Sequence, residues 1–168
     1  MHLNSSNEHI ELAFLDIETK TINKKFIPDI IVLYEDGEYY LFRELSQLFT
    51  HLFKLNKNLV IYIHNINFDG ILIIEYMIKA SIFFNIFTIK TNIYYIHIIN
   101  NKQKIELRCS FKLYSRSLDE IAATLFKQHK LPYPYKVLSK DTPPNKVSVS
   151  DFNNQNDYAR YISLNGSA

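Results

Sequence analysis

Three short stretches of this 168-residue chain hold residue types able to do chemistry. Asp16-Ile17-Glu18 closes the apolar run Glu11–Ile17 (ELAFLDI). Residues two apart on a strand share a face, so these carboxylates lie side by side and repel unless a cation sits between them. The same pair also suits a solvated strand end. The second stretch is Tyr62–Gly70 (YIHNINFDG). It ends a strand in His64-Asn65 and reaches Asp69 four residues later, where a helix opens; Asp69 equally suits a helix N-cap. The third is Asp157–Asn165 (DYARYISLN), where Tyr161 and Asn165 are four apart and share one helix face.

Elements that position these residues follow from pattern. Glu11–Ile17 suits a buried strand. Ile27–Tyr34 and Glu38–Phe42 are further strands, separated by Glu35-Asp36-Gly37, whose Asp-Gly marks a hairpin. Glu44–Leu55 spaces Leu45, Leu48, Phe49, Leu52 and Phe53 into one helical stripe. Leu59–Ile63 is predicted as a strand and Asp69–Ser81 as a helix. Phe84–Ile89, Ile93–Ile99 and Lys104–Arg108 follow as strands, with a turn at Asn100-Asn101. A helix over Ser117–Lys127 begins at a good N-cap, with Glu120 at the capping-box position. His129–Ser150 holds four of the five prolines and reads as a long loop, and Asp157–Leu164 as a last short helix. The expected class is α/β, a mixed sheet of about five or more strands flanked by helices, in a single domain over 1–168.

Composition narrows the function classes. Hydrophobic residues are 47% and charged residues 21%, enough apolar content for a real core. A net charge of +2 argues against a broadly polycationic nucleic-acid clamp. A single cysteine, Cys109, forms no internal disulfide. No apolar run of 18 residues is present, so no membrane span is expected. Ile, Asn, Lys, Phe and Tyr make up 78 residues against 18 for Gly, Ala, Pro and Arg. That contrast follows A/T-rich codons and points to an A/T-rich genome such as an organelle or a linear plasmid.

Taken together, the three stretches resemble the 3′–5′ exonuclease domain of protein-primed family B DNA polymerases, from about Ala13 to Asn165. Its first motif appears as Asp16-Ile17-Glu18-Thr19 and its second as His64-Asn65-Ile66-Asn67-Phe68-Asp69-Gly70. The third, Tyr-x-x-x-Asp in the family, appears as Tyr161-Ile162-Ser163-Leu164-Asn165. Ser117-Leu118-Asp119-Glu120-Ile121 and Lys130-Leu131-Pro132-Tyr133 match two lesser motifs, in the same order.

The resemblance implies a ribonuclease-H-like fold and two-metal chemistry. Asp16, Glu18 and Asp69, with the third motif's acid, would hold two Mg²⁺ or Mn²⁺ ions that clamp the scissile phosphate and generate the nucleophile. Tyr161 would orient the attacking water and Lys130 would neutralise developing charge. Thr19, Asn65, Phe68, Ser117 and Leu118 match positions that hold the unpaired 3′ end of a single-stranded nucleic acid, Phe68 offering an aromatic face. Read without the family, Phe68 and Leu118 also suit core positions, and Lys130 suits a solvated loop.

Two residues depart from the family. Asn165 stands where the family has Asp, so the site loses a hard anionic oxygen of the kind Mg²⁺ prefers, and second-metal binding should weaken. Cys109 replaces an acid that is not a metal ligand. No palm, fingers or priming region follows within the 168 residues, so the expectation is an exonuclease-like domain without a polymerase domain. Two readings follow: an exonuclease impaired at Asn165, or a remnant acting as a structural or RNA-binding subunit of a mitochondrial ribonucleoprotein such as the mitoribosome. A mitochondrial setting is expected, with a cytoplasmic linear plasmid or a phage as the alternative. Lys127, Lys130, Lys136, Lys140 and Lys146, interleaved with Tyr133 and Tyr135, would form the basic patch that either reading needs.

Overall fold

Alternation of apolar and polar residues at period two builds the sheet of this molecule. The computed structural model describes residues 9–100 and 103–127, together with residue 155. The turn at Asn101, the loop 129–150 and the last expected helix, with Lys130, Tyr161 and Asn165, lie outside the described residues. Among those described, 9–19 and 27–115 form one compact unit, and 20–26 and 116–127 belong to a second.

Among the described residues, seven strands form one mixed sheet: β1 (Ile10–Ile22), β2 (Lys25–Glu35), β3 (Glu38–Phe42), β4 (Asn58–Ile63), β5 (Phe84–Ile89), β6 (Asn92–Asn100) and β7 (Gln103–Cys109). Their order across the sheet is β3-β2-β1-β4-β7-β6-β5. β1 pairs in parallel with β4, and β4 with β7, while β2–β3, β5–β6 and β6–β7 are antiparallel. The expected Asp-Gly hairpin closes with Glu35 opposite Glu38. Asp36 and Gly37 both take positive φ (50° and 84°), the backbone that a two-residue hairpin of matching twist requires. β1 runs five residues beyond the expected strand, past the acids.

Two helices bury one face of the sheet. The helix α1 (Leu45–Leu55) buries Leu45, Leu48, Phe49 and Leu52, as its stripe predicts. Its start is tied by the Gln47 side chain, which accepts from the backbone N–H groups of Arg43 and Glu44 at 2.9 and 3.3 Å. The helix α2 (Ile66–Lys79) buries Ile66, Asp69, Gly70, Ile73 and Met77. Ile66, Ile73 and Met77 join Ala13, Leu15 and Ile17 of β1, Ile61 and Ile63 of β4, and Ile105 and Leu107 of β7 in one core. Only odd-numbered positions of those strands enter it; the even-numbered ones face the other way.

Asn67 explains how α2 is held. Its amide nitrogen donates to Asn92 Oδ1 (3.0 Å), and its Oδ1 accepts from the Ile93 backbone N–H (2.8 Å). Gly70 allows the helix to sit this close to β6: a Cβ there would meet Ile66 Cγ1 at 3.0 Å and Ile96 Cδ1 at 3.5 Å.

At the opposite end of β1, Lys57 Nζ donates to Glu11 (2.9 Å) and lies 3.6 Å from the buried Glu35, which also meets His51 at 3.3 Å. The Glu11 hydrogen bond, above all, raises the Lys57 ammonium above its ordinary value of 10.5. None of the described helices is long and apolar enough to cross a membrane.

Candidate functional site

The first two motifs emerge at one end of three neighbouring parallel strands. The register aligns Leu15 with Ile63 and Ile63 with Cys109, so Asp16, His64 and Ser110 follow at the same level on β1, β4 and β7. β4 breaks here because Asn65 takes the left-handed region (φ 59°, ψ 56°), a conformation that asparagine tolerates better than most residues. The turn closes with Phe68 N–H donating to Asn65 C=O (3.0 Å). His64 is oriented by two contacts. Its Nδ1 lies 3.2 Å from Ser110 Oγ, and its ring stands edge-on to Phe111 at 5.5 Å. Phe111 opens the short helix α3 (Phe111–Tyr114), which the sequence reading missed.

Asp16 and Glu18 project from the same face of β1. The buried Leu15 and Ile17 alternate with them, so both acids point away from the helix-covered core; Asp16 is exposed and Glu18 partly buried. Thr19, next along the strand, is partly buried.

Asp69 sits differently. The helix begins three residues earlier than expected, at Ile66, with Asn65 as its N-cap residue. Asp69 is therefore one turn inside the helix rather than at its cap. It falls on the buried stripe with Ile66, Gly70 and Ile73, and is only 5% exposed. Phe68 lies off that stripe and is exposed.

The donor chemistry of Asp16 and Glu18 suits a hard cation such as Mg²⁺ or Mn²⁺. Among the described residues, however, no group of three or more His, Cys, Asp or Glu side chains is placed to hold a metal ion. The described chain thus brings Asp16 and Glu18 together as a two-carboxylate pair.

Ser117 and Leu118 belong to the second unit, at the start of α4 (Leu118–Phe126). Ser117 is the expected N-cap. Its Oγ accepts from Glu120 N–H (3.2 Å) and donates to Glu120 Oε2 (2.9 Å), while Ser117 N–H donates to the same carboxylate (2.9 Å). The Ser117 backbone N–H, then its hydroxyl, lower the Glu120 carboxyl from its ordinary 4.5. Leu118 is exposed.

Sequence reading passed over Ser110 as a partner of His64, and Asn67 as the clamp on β6. The signal for Ser110 was its place just after a strand, but only the sheet register puts it beside His64.

A mixed sheet with a parallel centre, helices packed on it, and acids on a central strand is the ribonuclease-H-like class of fold. A family model described as DNA polymerase type B, organellar and viral, matches residues 52–163, and the chain belongs to that family. No curated protein gives a significant sequence match. Among solved structures the chain is similar to Phi29 DNA polymerase complexed with single-stranded DNA, at 18% identity and a TM-score of 0.64, over 90% of this chain and 28% of that one. It is also similar to Phi29 DNA polymerase complexed with primer-template DNA, at 18% identity and a TM-score of 0.60, over 95% of this chain and 30% of that one. The chain therefore spans less than a third of the polymerases whose fold it shares.

Proposed function

We propose that this chain is the 3′–5′ exonuclease-type domain of a protein-primed type B DNA polymerase, that it takes the unpaired 3′ end of single-stranded DNA, and that Asn165 weakens its hydrolytic chemistry. The observation that carries this reading is the meeting of two motifs at one end of the sheet: Asp16 and Glu18 on β1, one strand from the His64-Asn65 turn of β4. Family membership and the likeness to Phi29 DNA polymerase support it.

In this reading Asp16 and Glu18 hold a divalent cation, Mg²⁺ or Mn²⁺, while Asp69, which matches the family's third acid, lies on the buried stripe of α2 and not with that pair. The metal, when bound, supplies polarisation of the phosphate and a more acidic water. The chain's own residues do the rest. Phe68 offers an exposed ring to a terminal base, and Asn65 lies at the turn beside it. Thr19 adds a hydroxyl next to Glu18. Ser117 has its hydroxyl engaged in the α4 cap, so Leu118, exposed beside it, is the better contact for a base. Tyr161 orients water and Lys130 meets phosphate charge. With an amide at 165 and Asp69 on the buried stripe, two carboxylates face the +4 of two divalent ions, so one ion is held and a second binds poorly. The A/T-rich coding bias suits a mitochondrial or linear-plasmid replicon.

The test is nucleotide release from a labelled single-stranded oligonucleotide in Mn²⁺. Asn165→Asp should release nucleotides from the 3′ end much faster than the natural chain. Adding Asp16→Ala to Asn165→Asp should abolish that gain. Absence of activity in every variant would overturn the enzymatic reading.

A further inference from the structure

The face of the sheet turned away from α1 and α2 carries an ordered row of rings. Phe14 on β1 is registered with Tyr62 on β4, Tyr62 with Arg108 on β7, Arg108 with Tyr95 on β6, and Tyr95 with Phe87 on β5. All five residues thus stand on one face, in one line perpendicular to the strands. Tyr34 of β2 extends the line, its ring centroid 6.3 Å from that of Phe14.

The rings are ordered against each other. Phe14 stacks on Tyr62 at 6.0 Å with 29° between planes, and Phe87 on Tyr95 at 5.1 Å with 12°. The cation in the middle is fixed as well. Arg108 Nε and one terminal nitrogen donate to the two Glu106 oxygens, each at 3.0 Å. Yet the row is not buried: Phe14 is 49%, Phe87 44% and Tyr95 37% exposed. Beside Tyr95 the face dips into a hollow of about 280 Å³, lined in part by Ile10, Val60, His97 and Lys104.

We infer that this row is a stacking platform for single-stranded nucleic acid, laid across the sheet and leading to Asp16 and Glu18. Neighbouring rings of the row lie 5.1–6.3 Å apart, within the span of consecutive bases in an extended strand. Every base has a π-face, so stacking on such a row is tolerant of sequence. The planar guanidinium of Arg108 continues the row where a ring is missing, since Arg stacks as rings do. His97 and Lys104 flank the hollow where a phosphate would pass. Phe14 stands two residues before Asp16 on the same face of β1, so a strand on the row has its path to the carboxylates laid out. The inference rests on the exonuclease reading for that direction alone; binding to the row does not depend on cleavage.

The test uses the full chain and a fluorescently labelled dT12 oligonucleotide with a blocked 3′ end, without divalent metal, read by anisotropy. Tyr95→Ala and Phe87→Ala should each weaken binding about tenfold, the loss expected for one stacked base, and Tyr95→Phe should restore it. Both alanine positions are exposed, and unchanged circular dichroism confirms that each variant is folded. Wild-type affinity in both alanine variants would overturn the platform. So would a concentration-dependent dimer that these variants abolish, because the face would then be a protein interface. The two proposals fail separately. Weakened binding with no nucleotide release from any Asn165→Asp variant leaves the platform standing and removes the exonuclease. Release by Asn165→Asp with unaltered binding in Tyr95→Ala does the reverse.

Discussion

The two faces of one sheet are built from the same strands and have opposite fates. On β1, Ala13, Leu15 and Ile17 are buried beneath the helices, while Leu12, Phe14 and Asp16 between them are exposed. β4 and β7 repeat the division, with Ile61, Ile63 and Leu107 buried against Tyr62 partly and Arg108 largely exposed. The covered face holds the fold together. The exposed face carries a pair of acids and a row of rings that need not be buried for the domain to stand. The carboxylates divide the same way, with Asp16 and Glu18 on the exposed face and Asp69 on the helix stripe that packs against the covered one.

The contrast breaks first where burial is greatest. Ile61→Ala removes a fully buried side chain and should cost about 2–5 kcal/mol in urea unfolding. Leu12→Ala, on the same sheet but outward, should stay within roughly 0.5–1 kcal/mol. Comparable losses at the two positions would mean that the exposed face is packed after all.

Gly70 sharpens the covered side. Gly70→Val puts branched carbon against Ile66 and Ile96, where a single Cβ already comes to 3.0 and 3.5 Å. A loss of about 1–3 kcal/mol is expected from overpacking, measured as a lower denaturation midpoint with an unchanged slope.

The carboxylates offer a finer comparison. Asp69→Ala removes a nearly buried, interacting acid and should cost about 1–3 kcal/mol. Asp16→Ala, exposed, should change stability by no more than roughly 0.5 kcal/mol while removing any nuclease activity of an Asn165→Asp background. Equal stability effects would erase the distinction between the faces.

The smallest effect belongs to the second unit. Glu120 is lowered by the Ser117 backbone and hydroxyl. A carboxyl lowered in the folded state contributes stability above its unfolded value, near 4.5, and loses it as pH falls through the folded value. Amide exchange at the start of α4 should therefore speed up below pH 4.5, and Glu120→Gln should flatten that dependence. No such acid response is expected of the buried apolar stripe.

Several elements were legible because their signals are local. The Asp36-Gly37 hairpin needed only the backbone freedom of those two residues. The stripe of α1 and the Ser117–Glu120 capping box each lie within a few residues of chain. Strand existence followed from runs such as Leu59–Ile63, and the motif residues Asp16, Glu18 and Asp69 stood out as acids within apolar stretches. Where α2 begins was misjudged by three residues. Asp69 looked like a cap, whereas the left-handed Asn65 and the Asn67 bonds to β6 start the helix earlier. Those bonds span 25 and 26 residues of sequence, a separation at which local propensity is silent.

Composition and local pattern alone give which residues are apolar, which acids stand in pairs, and that the chain mixes strands with helices. Period two already told which side chains of one strand share a face, because that is a property of a single extended backbone. Only the tertiary structure decided which face the helices would cover. Register did the rest: it put Ser110 beside His64, and aligned Phe14, Tyr62, Arg108, Tyr95 and Phe87 from five strands into one row. A slip of one residue in any pairing would turn that strand's whole set to the other face. Register is set by the packing of buried Ile and Leu side chains from all strands at once, and no single stretch of sequence contains it.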